Sequence, residues 1–151
     1  MIKYKKGNVV TALQNGEIEV LVHGCNCFKT MGAGVALETK KAFPQAYEDD
    51  LSTVYGDYNK LGTIGISRIS FDPVKIVINA YTQYNYGNTE RMVDYDALRL
   101  CMRKIKHNNT LSTRKIGMPK IGCGLAGGDW NVVSKIVEEE LGDCDVTVYE
   151  L

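Results

Sequence analysis

The chain has 151 residues, of which 44% are apolar, and its 18 lysine and arginine residues balance 18 aspartate and glutamate residues. This length suffices to bury one hydrophobic core without crosslinks, and the composition is typical of a globular domain. The balanced charge gives no net field to recruit nucleic acid or an anionic membrane. We therefore expect a single domain over residues 1–151, without a nucleic-acid or membrane partner.

Location and redox state can also be predicted from composition. The chain contains no run near the ~20 apolar residues that a membrane-spanning helix needs, and no long apolar segment follows the lysines near its start. A cytoplasmic location is the expectation. The five cysteines are scattered and odd in number, which argues against a disulfide framework and predicts free thiols.

Strand and helix patterns alternate along the chain. Apolar or alternating runs predict strands at residues 2–5, 18–22, 62–69, 75–80, 115–119 and 145–149. Helical periodicity predicts helices at residues 35–43, 45–54, 94–107 and 130–141, the last with Asp129 as its N-cap. Turn signals stand at residues 7–8 and 15–16. In the second helix, Glu48, Asp49 and Asp50 are interpreted as a solvated face. The pattern predicts a three-layer α/β/α domain with a mixed, largely parallel sheet of about six strands.

Two glycine-rich loops each join a predicted strand to a predicted helix. The first is HGCNCFKTMGAGVA at residues 23–36, and the second is KIGCGLAGG at residues 120–128. Such a junction points backbone N–H groups and a helix N-terminus at one spot, which suits a phosphate. Neither loop matches the dinucleotide fingerprint or the P-loop. Both loops, and the loop at residues 81–92, should leave the carboxyl ends of strands, so one cleft could contain all three.

Metal and cysteine chemistry fit the sequence poorly. His23, Cys25 and Cys27 alternate and would share one side of an extended segment, as zinc ligands could. A fourth ligand is missing, however, and the chain has no C-x-x-C, so no metal or other cofactor is expected. Neither cysteine has the downstream arginine that a thiolate phosphatase needs, and both are interpreted as small packing residues.

Polar residues at the loop tips are the remaining candidates. His23 titrates near neutrality unless shifted and could act as a general acid or base, although a structural histidine at a strand end fits equally. Asn26 could bind a sugar hydroxyl or simply form a turn. The tyrosines of the third loop could stack on a base or ribose or could anchor the loop, and they are Tyr81, Tyr84 and Tyr86.

Taken together, these segments resemble the macro domain, the ADP-ribose-binding module, over essentially the whole chain. The matching segments are KGNVV, HGCNCFKTMGAGVA, VINAYTQ, MPKIGCGLAGGDW and VTVYEL. Within that superfamily, H-x-C-N-C followed by G-x-G-[IV]-A, and the ending T-V-Y-x-L, most resemble the branch that includes ADP-ribose-1''-phosphate phosphatases.

The resemblance implies a role for each matched position. Asn8 stands where the family usually has an aspartate that accepts from the adenine amino group, and its amide oxygen could still make an altered form of this contact. Asn26 would face the distal ribose. His23 would be the catalytic acid or base, with Asn26 as the second catalytic candidate. The other implied ligand-binding residues are Val9, Met31, Gly32, Ala33, Gly34, Val35, Gly122, Cys123, Gly124, Leu125, Ala126, Gly127 and Tyr149.

The expected function follows from this resemblance. The chain would bind ADP-ribose and hydrolyse ADP-ribose-1''-phosphate to ADP-ribose and phosphate. A non-catalytic reader of ADP-ribose and a glycohydrolase acting on ADP-ribosylated protein are the alternatives. Related glycohydrolases use a lysine after the central strand and an aspartate in the second loop, where this chain has Gln83 and Ala126. That covalent route is therefore disfavoured.

Overall fold

The computed structural model describes residues 1–87 and 90–151. Its strands are β1 (Lys3–Lys6), β2 (Val20–Cys25), β3 (Ile64–Phe71), β4 (Val74–Tyr81), β5 (Ile116–Met118) and β6 (Val146–Glu150). Its helices are α1 (Val9–Gln14), α2 (Gly34–Ala42), α3 (Pro44–Leu51), α4 (Tyr95–Lys106), α5 (Asn109–Ser112) and α6 (Trp130–Leu141), with a short 3-10 turn at Tyr58–Lys60.

The six strands form one sheet in the order β1-β6-β5-β2-β4-β3. All neighbouring pairs are parallel except β3 and β4, which form an antiparallel hairpin. The predicted mixed, largely parallel sheet is therefore confirmed. Parallel neighbours require crossover connections, and the helices that make them cover the two faces of the sheet.

The core is divided between the two faces because side chains alternate along each strand. On one face, Val20 and Val22 of β2 pack with the apolar sides of α4, α5 and α6 in the larger cluster. On the other face, Leu21 joins residues of α1 and the segment around Phe43 in a smaller cluster. The result is the expected three-layer α/β/α arrangement.

Two short helices were not predicted. Helix α1 begins at Val9, where the sequence indicated only a turn, because the Asn8 side chain accepts hydrogen bonds from the N–H groups of Val10 and Thr11. Asn108 caps α5 in the same way, by accepting from the N–H of Thr110. By contrast, α6 spans Trp130–Leu141 with Asp129 as its N-cap, as predicted.

The interpretation of three acidic residues on α3 as a solvated face was wrong. Glu48 is exposed, but Asp49 accepts a hydrogen bond from Ser67, and Asp50 is buried. The Tyr81 hydroxyl donates to Asp50 Oδ1 over 2.7 Å. Burial raises the pKa of Asp50, against the opposing hydrogen bond from Tyr81. These carboxylates tie α3 to β3 and β4.

The topology brings the ligand-binding loops together. Strands β5, β2 and β4 are adjacent and parallel, so the segments that follow them leave the same edge of the sheet. Those segments are the second glycine loop, the first glycine loop and the third loop, of which residues 88 and 89 lie outside the described residues. Within residues 1–87 and 90–151, no helix combines the length and apolar character needed to cross a bilayer.

Candidate functional site

Two adjoining clefts run along the carboxyl-terminal edge of the sheet. The main cleft, of about 680 Å³, lies over β5, β2 and β4, and the side cleft, of about 390 Å³, lies over β1, β6 and β5. The main cleft is lined by His23, Gly24, Asn26, Thr30, Gly32, Ala33, Gly34, Val35, Ala36, Gln83, Tyr86, Gly87, Pro119, Lys120, Ile121, Gly122, Gly124, Leu125 and Ala126. The side cleft is lined by Gly7, Asn8, Val9, Val35, Glu38, Pro119, Lys120, Tyr149, Glu150 and Leu151.

The first glycine loop presents the N-terminus of α2 to the main cleft. Ala33 occupies the N-cap position and has no side-chain oxygen to accept from the first N–H groups of the helix. Gly34 adopts φ +58°, in the left-handed region, and its α-carbon faces open space. Uncapped N–H groups and the helix dipole at this position have the character that suits an anion.

Glycines shape the second loop in two different ways. A Cβ at Gly122 would lie 2.8 Å from Val93, and one at Gly127 would lie 3.3 Å from the Arg91 backbone, so these positions require the absence of a side chain for packing. A Cβ at Gly124 would meet nothing within 4 Å. Gly124 therefore leaves space in the main cleft, opposite the first loop.

His23 lies beneath the main cleft as a partner of Asn79. The β2–β4 register places the two residues side by side, and His23 Nε2 lies 2.7 Å from Asn79 Oδ1. The Asn79 amide donates to the Ala46 carbonyl over 3.0 Å, which leaves Oδ1 as the acceptor. His23 therefore carries its hydrogen on Nε2, and Nδ1, which lies 3.8 Å from the Cys25 thiol, is the acceptor of the neutral ring.

Burial sets the charge of this histidine. His23 is 1% exposed, and desolvation lowers its pKa from the ordinary 6.5 to about 4, although the hydrogen bond to Asn79 opposes the shift. The titration near neutrality expected for an unshifted histidine is thus moved into the acid range. At pH 7 the ring is neutral and can accept, but not readily release, a proton.

The lowered pKa predicts a pH-dependent stability. Because the unfolded chain binds the proton more readily, acidification should destabilise the folded state, starting as pH falls through 6.5 and complete below about 4. The full cost is about 3 kcal/mol. Urea unfolding at pH 7.5 and 4.5 should show a smaller loss in His23→Gln than in the wild type. The opposing effect of Asp50 is common to both proteins, and equal losses would contradict the prediction.

The Asn26 side chain is engaged within the first loop. Its Nδ2 donates to the Thr30 carbonyl and hydroxyl oxygens, and its Oδ1 accepts from the Phe28 N–H over 2.8 Å. These contacts match the turn role that the sequence allowed for it. Asn26 also borders the main cleft, where the second lone pair of Oδ1 could accept from a ligand hydroxyl.

The other implied ligand-binding residues fall into three groups. Gly32, Ala33, Gly34, Val35, Gly122, Gly124, Leu125 and Ala126 line the main cleft, and Asn8, Val9 and Tyr149 line the side cleft. Met31 is buried, Cys123 packs against the larger core cluster, and Gly127 packs against Arg91. These last three line neither cleft.

Only one of the three candidate tyrosines reaches the cleft. Tyr86 is exposed and lines the main cleft. Tyr81 is buried against Asp50, and the Tyr84 hydroxyl donates to the Gly56 carbonyl, which makes it a loop anchor. Tyr84 and Tyr86 both pack edge-on against Phe28 of the first loop, so the first and third loops are joined by aromatic contacts.

The charges of the main cleft favour an anionic ligand. Among its lining residues within the described part of the chain, there is no carboxylate, and Lys120 is the cationic side chain. No cluster of three histidine, cysteine or acidic side chains suited to a metal ion occurs in the described ranges. All five cysteines are free thiols, and burial raises the pKa of Cys25 and of Cys27. Both thiols are thereby kept in their unreactive protonated form.

Sequence reasoning missed several lining residues. Thr30, Pro119, Lys120, Glu38 and Glu150 border one or both clefts but were not among the residues expected to bind the ligand. Lys120 could have been found, because it opens the second glycine loop two residues after the end of β5. Glu38 and Glu150 could not, since only the folded sheet brings their elements to the side cleft.

A family comparison agrees with this geometry. The family model of the Macro domain matches residues 22–137, which include both glycine loops and most of the sheet. The chain belongs to the Macro domain family. This confirms the resemblance seen in the sequence.

Several proteins are similar to this macro domain along its whole length. An uncharacterised 17.5 kDa protein of Enterobacteria phage T4 is 35% identical over 154 residues, with 99% of this chain and 96% of that protein covered. The ADP-ribose 1''-phosphate phosphatase of Saccharomyces cerevisiae is 27% identical over 178 residues, with 99% and 98% covered. The DNA ADP-ribosyl glycohydrolase of Mycobacterium tuberculosis is 29% identical over 159 residues, and the match spans 99% of this chain but 42% of that protein.

A solved structure supports the same fold. The macrodomain of Thermus aquaticus DarG superposes with a TM-score of 0.78 at 25% identity, covering 100% of this chain and 99% of that one. The mixed six-stranded sheet with helices on both faces is therefore the macro domain fold.

Proposed function

We propose that this macro domain binds ADP-ribose across its two clefts and hydrolyses the phosphate monoester of ADP-ribose-1''-phosphate. The observation that carries the proposal is the pair of glycine loops, which face each other across one cleft that has no lining carboxylate in the described residues. Support also comes from relatives named for ADP-ribose derivatives, including the yeast ADP-ribose 1''-phosphate phosphatase.

The shape of the clefts suggests how the ligand lies. The adenosine would occupy the side cleft, which offers the apolar walls of Val9 and Tyr149 and polar groups on Asn8. Asn8 Oδ1 is already used to cap α1, and its Nδ2 donates to Glu38 Oε2 over 3.2 Å. The Glu38 carboxylate beside it, which has further acceptor capacity, would then be the acceptor for the adenine amino group. The diphosphate would meet the N–H groups of α2, and the distal ribose would reach Asn26.

The hydrolysis needs few protein groups. Water would attack the phosphorus, the bond between phosphorus and the ribose oxygen would break, and the departing oxygen would take up a proton. The products are ADP-ribose and inorganic phosphate. His23 lies in the floor of the main cleft, where its neutral ring can accept a proton from the attacking water. With a pKa of about 4 it is a weak base, so we expect a slow enzyme.

The alternatives remain distinguishable. A non-catalytic reader would need only the two clefts. A glycohydrolase is favoured by relatives with that name, but Gln83 in the cleft is no nucleophilic amine, and its Nε2 donates to the Asn85 carbonyl over 2.8 Å. Ala126 offers no carboxylate either.

One pair of incubations tests the proposal. With ADP-ribose-1''-phosphate, the protein should release inorganic phosphate, and with an ADP-ribosylated protein it should release no free ADP-ribose. If the ADP-ribosylated protein yields free ADP-ribose and ADP-ribose-1''-phosphate yields no phosphate, the chain is the glycohydrolase. Binding of ADP-ribose by calorimetry without any product would indicate the reader, and the absence of both binding and product would refute the proposal.

A further inference from the structure

The two clefts meet at a neck whose composition follows from the strand order. Strand β5 lies between β6 and β2, so the segment after it borders both clefts. Three residues line both the main cleft and the side cleft, namely Val35, Pro119 and Lys120. Two of them are apolar. Lys120 is thus the one charged side chain among the residues that the clefts share.

The Lys120 amine pairs with an acidic side chain from the neighbouring strand β6. Lys120 Nζ lies 2.9 Å from Glu150 Oε1, and the two side chains are 45% and 38% exposed. Ion pairs with this much exposure contribute little to stability, because water solvates both partners well when they separate. The lysine has a flexible stem of four carbons and can exchange one anionic partner for another at little cost.

We propose that Lys120 binds the diphosphate of ADP-ribose and that Glu150 competes with the ligand for this amine. The inference rests on the proposed function. A ligand with one end in each cleft must pass its diphosphate through the neck, which Val35 in the first turn of α2 borders from both sides. Lys120 supplies positive charge there, while Glu150 and Glu38 add negative charge to the side cleft.

A purely structural ion pair leads to a different expectation. If the pair only joined β5 to β6, removing either partner would have the same small effect on stability and would change affinity in the same direction. If Glu150 instead competes with the ligand, the two substitutions change affinity in opposite directions. Lys120→Gln loses a phosphate contact, whereas Glu150→Gln releases the amine and removes a carboxylate that repels the ligand.

Calorimetric titration with ADP-ribose of the full chain tests this. We expect Lys120→Gln to weaken binding about 10-fold. This is the effect of losing a hydrogen bond between charged groups, reduced because the lysine is partly exposed to water. Glu150→Gln should strengthen binding about threefold, and the double variant should resemble Lys120→Gln. Raising NaCl from about 50 to 500 mM should weaken wild-type binding more than binding by Lys120→Gln. The reason is that salt screens the contact between the Lys120 amine and the diphosphate, which the variant lacks.

The chain offers a matched control. Lys3 forms an exposed ion pair with Asp145, which precedes β6 at the opposite edge of the sheet. Lys3→Gln removes a similar pair far from both clefts and should leave affinity unchanged. The inference is overturned if the wild type binds while Lys120→Gln stays within twofold of it, or if both neck substitutions shift affinity in the same direction. If the wild type itself does not bind ADP-ribose, the proposed function fails and this inference falls with it.

Discussion

Replacing Gly34 by leucine should weaken ADP-ribose binding by at least about 100-fold, which corresponds to about 2.7 kcal/mol. A Cβ at this position meets nothing within 4 Å, so a leucine side chain would extend into the open main cleft where the phosphates are proposed to lie. Calorimetric titration measures the loss. The positive φ of Gly34 also means that leucine would cost about 1 kcal/mol of backbone strain, which a control must account for.

Substitutions at two other glycines serve as controls that distinguish blocking of the cleft from backbone strain. Gly16 has φ +85° and open space around it, but it lines neither cleft, so Gly16→Leu should show the strain and keep full affinity. Gly124 lines the main cleft and its φ is not in the left-handed region, so Gly124→Leu should block binding without strain. If Gly34→Leu and Gly124→Leu both bind like the wild type, ADP-ribose does not occupy this cleft.

Loss of the His23 imidazole should lower phosphate release from ADP-ribose-1''-phosphate by ~10²-fold or more, near the low end for a general base because its pKa is so low. ADP-ribose affinity should change little, since the proposed contacts to the diphosphate come mainly from backbone N–H groups and not from His23. Turnover and dissociation constants measured on one preparation separate the two effects. Turnover of the wild type should be level from about pH 6 to 8 and should fall only as the ring becomes protonated near its pKa of about 4.

His23→Ala alone would be ambiguous, because it leaves buried Asn79 Oδ1 without its donor and should cost about 1–3 kcal/mol of stability. His23→Gln keeps an N–H group that can donate to Asn79 but has no basic ring nitrogen. We expect both variants to lose turnover and only His23→Ala to lose stability. Wild-type turnover in His23→Gln would show that the histidine is structural and that another group activates the water.

Much of the fold could be predicted because its signals are local. The apolar runs of β2 and β4 and the three- and four-residue spacing of α4 each reflect one element meeting the core. Helix α1 was missed because six residues carry too little periodicity, and its formation depends on a single capping side chain, Asn8. Asp50 was misjudged because its partner, Tyr81, lies 31 positions away.

The parts of the candidate site that are formed by backbone groups could be predicted from the sequence. Glycines at a strand–helix junction indicate an anion site from the sequence alone, and the structure places both glycine loops at one cleft. The environment of His23 was beyond sequence reasoning, because its pKa depends on burial and on the register that pairs it with Asn79. The Lys120–Glu150 pair likewise exists only because β5 and β6 are neighbours in the sheet.

Helix α2 is anchored by fewer buried residues than α4 and α6, the long helices on the opposite face. Thr39 is its one fully buried residue, whereas α4 buries Ala97, Leu98, Cys101, Met102 and Ile105. A segment with so few buried contacts opens locally at a lower free energy than the rest of the domain. An anion that binds the N-terminus of α2 binds only the closed helix, so its binding reduces these openings. Occupancy of the cleft and rigidity of α2 are therefore thermodynamically linked.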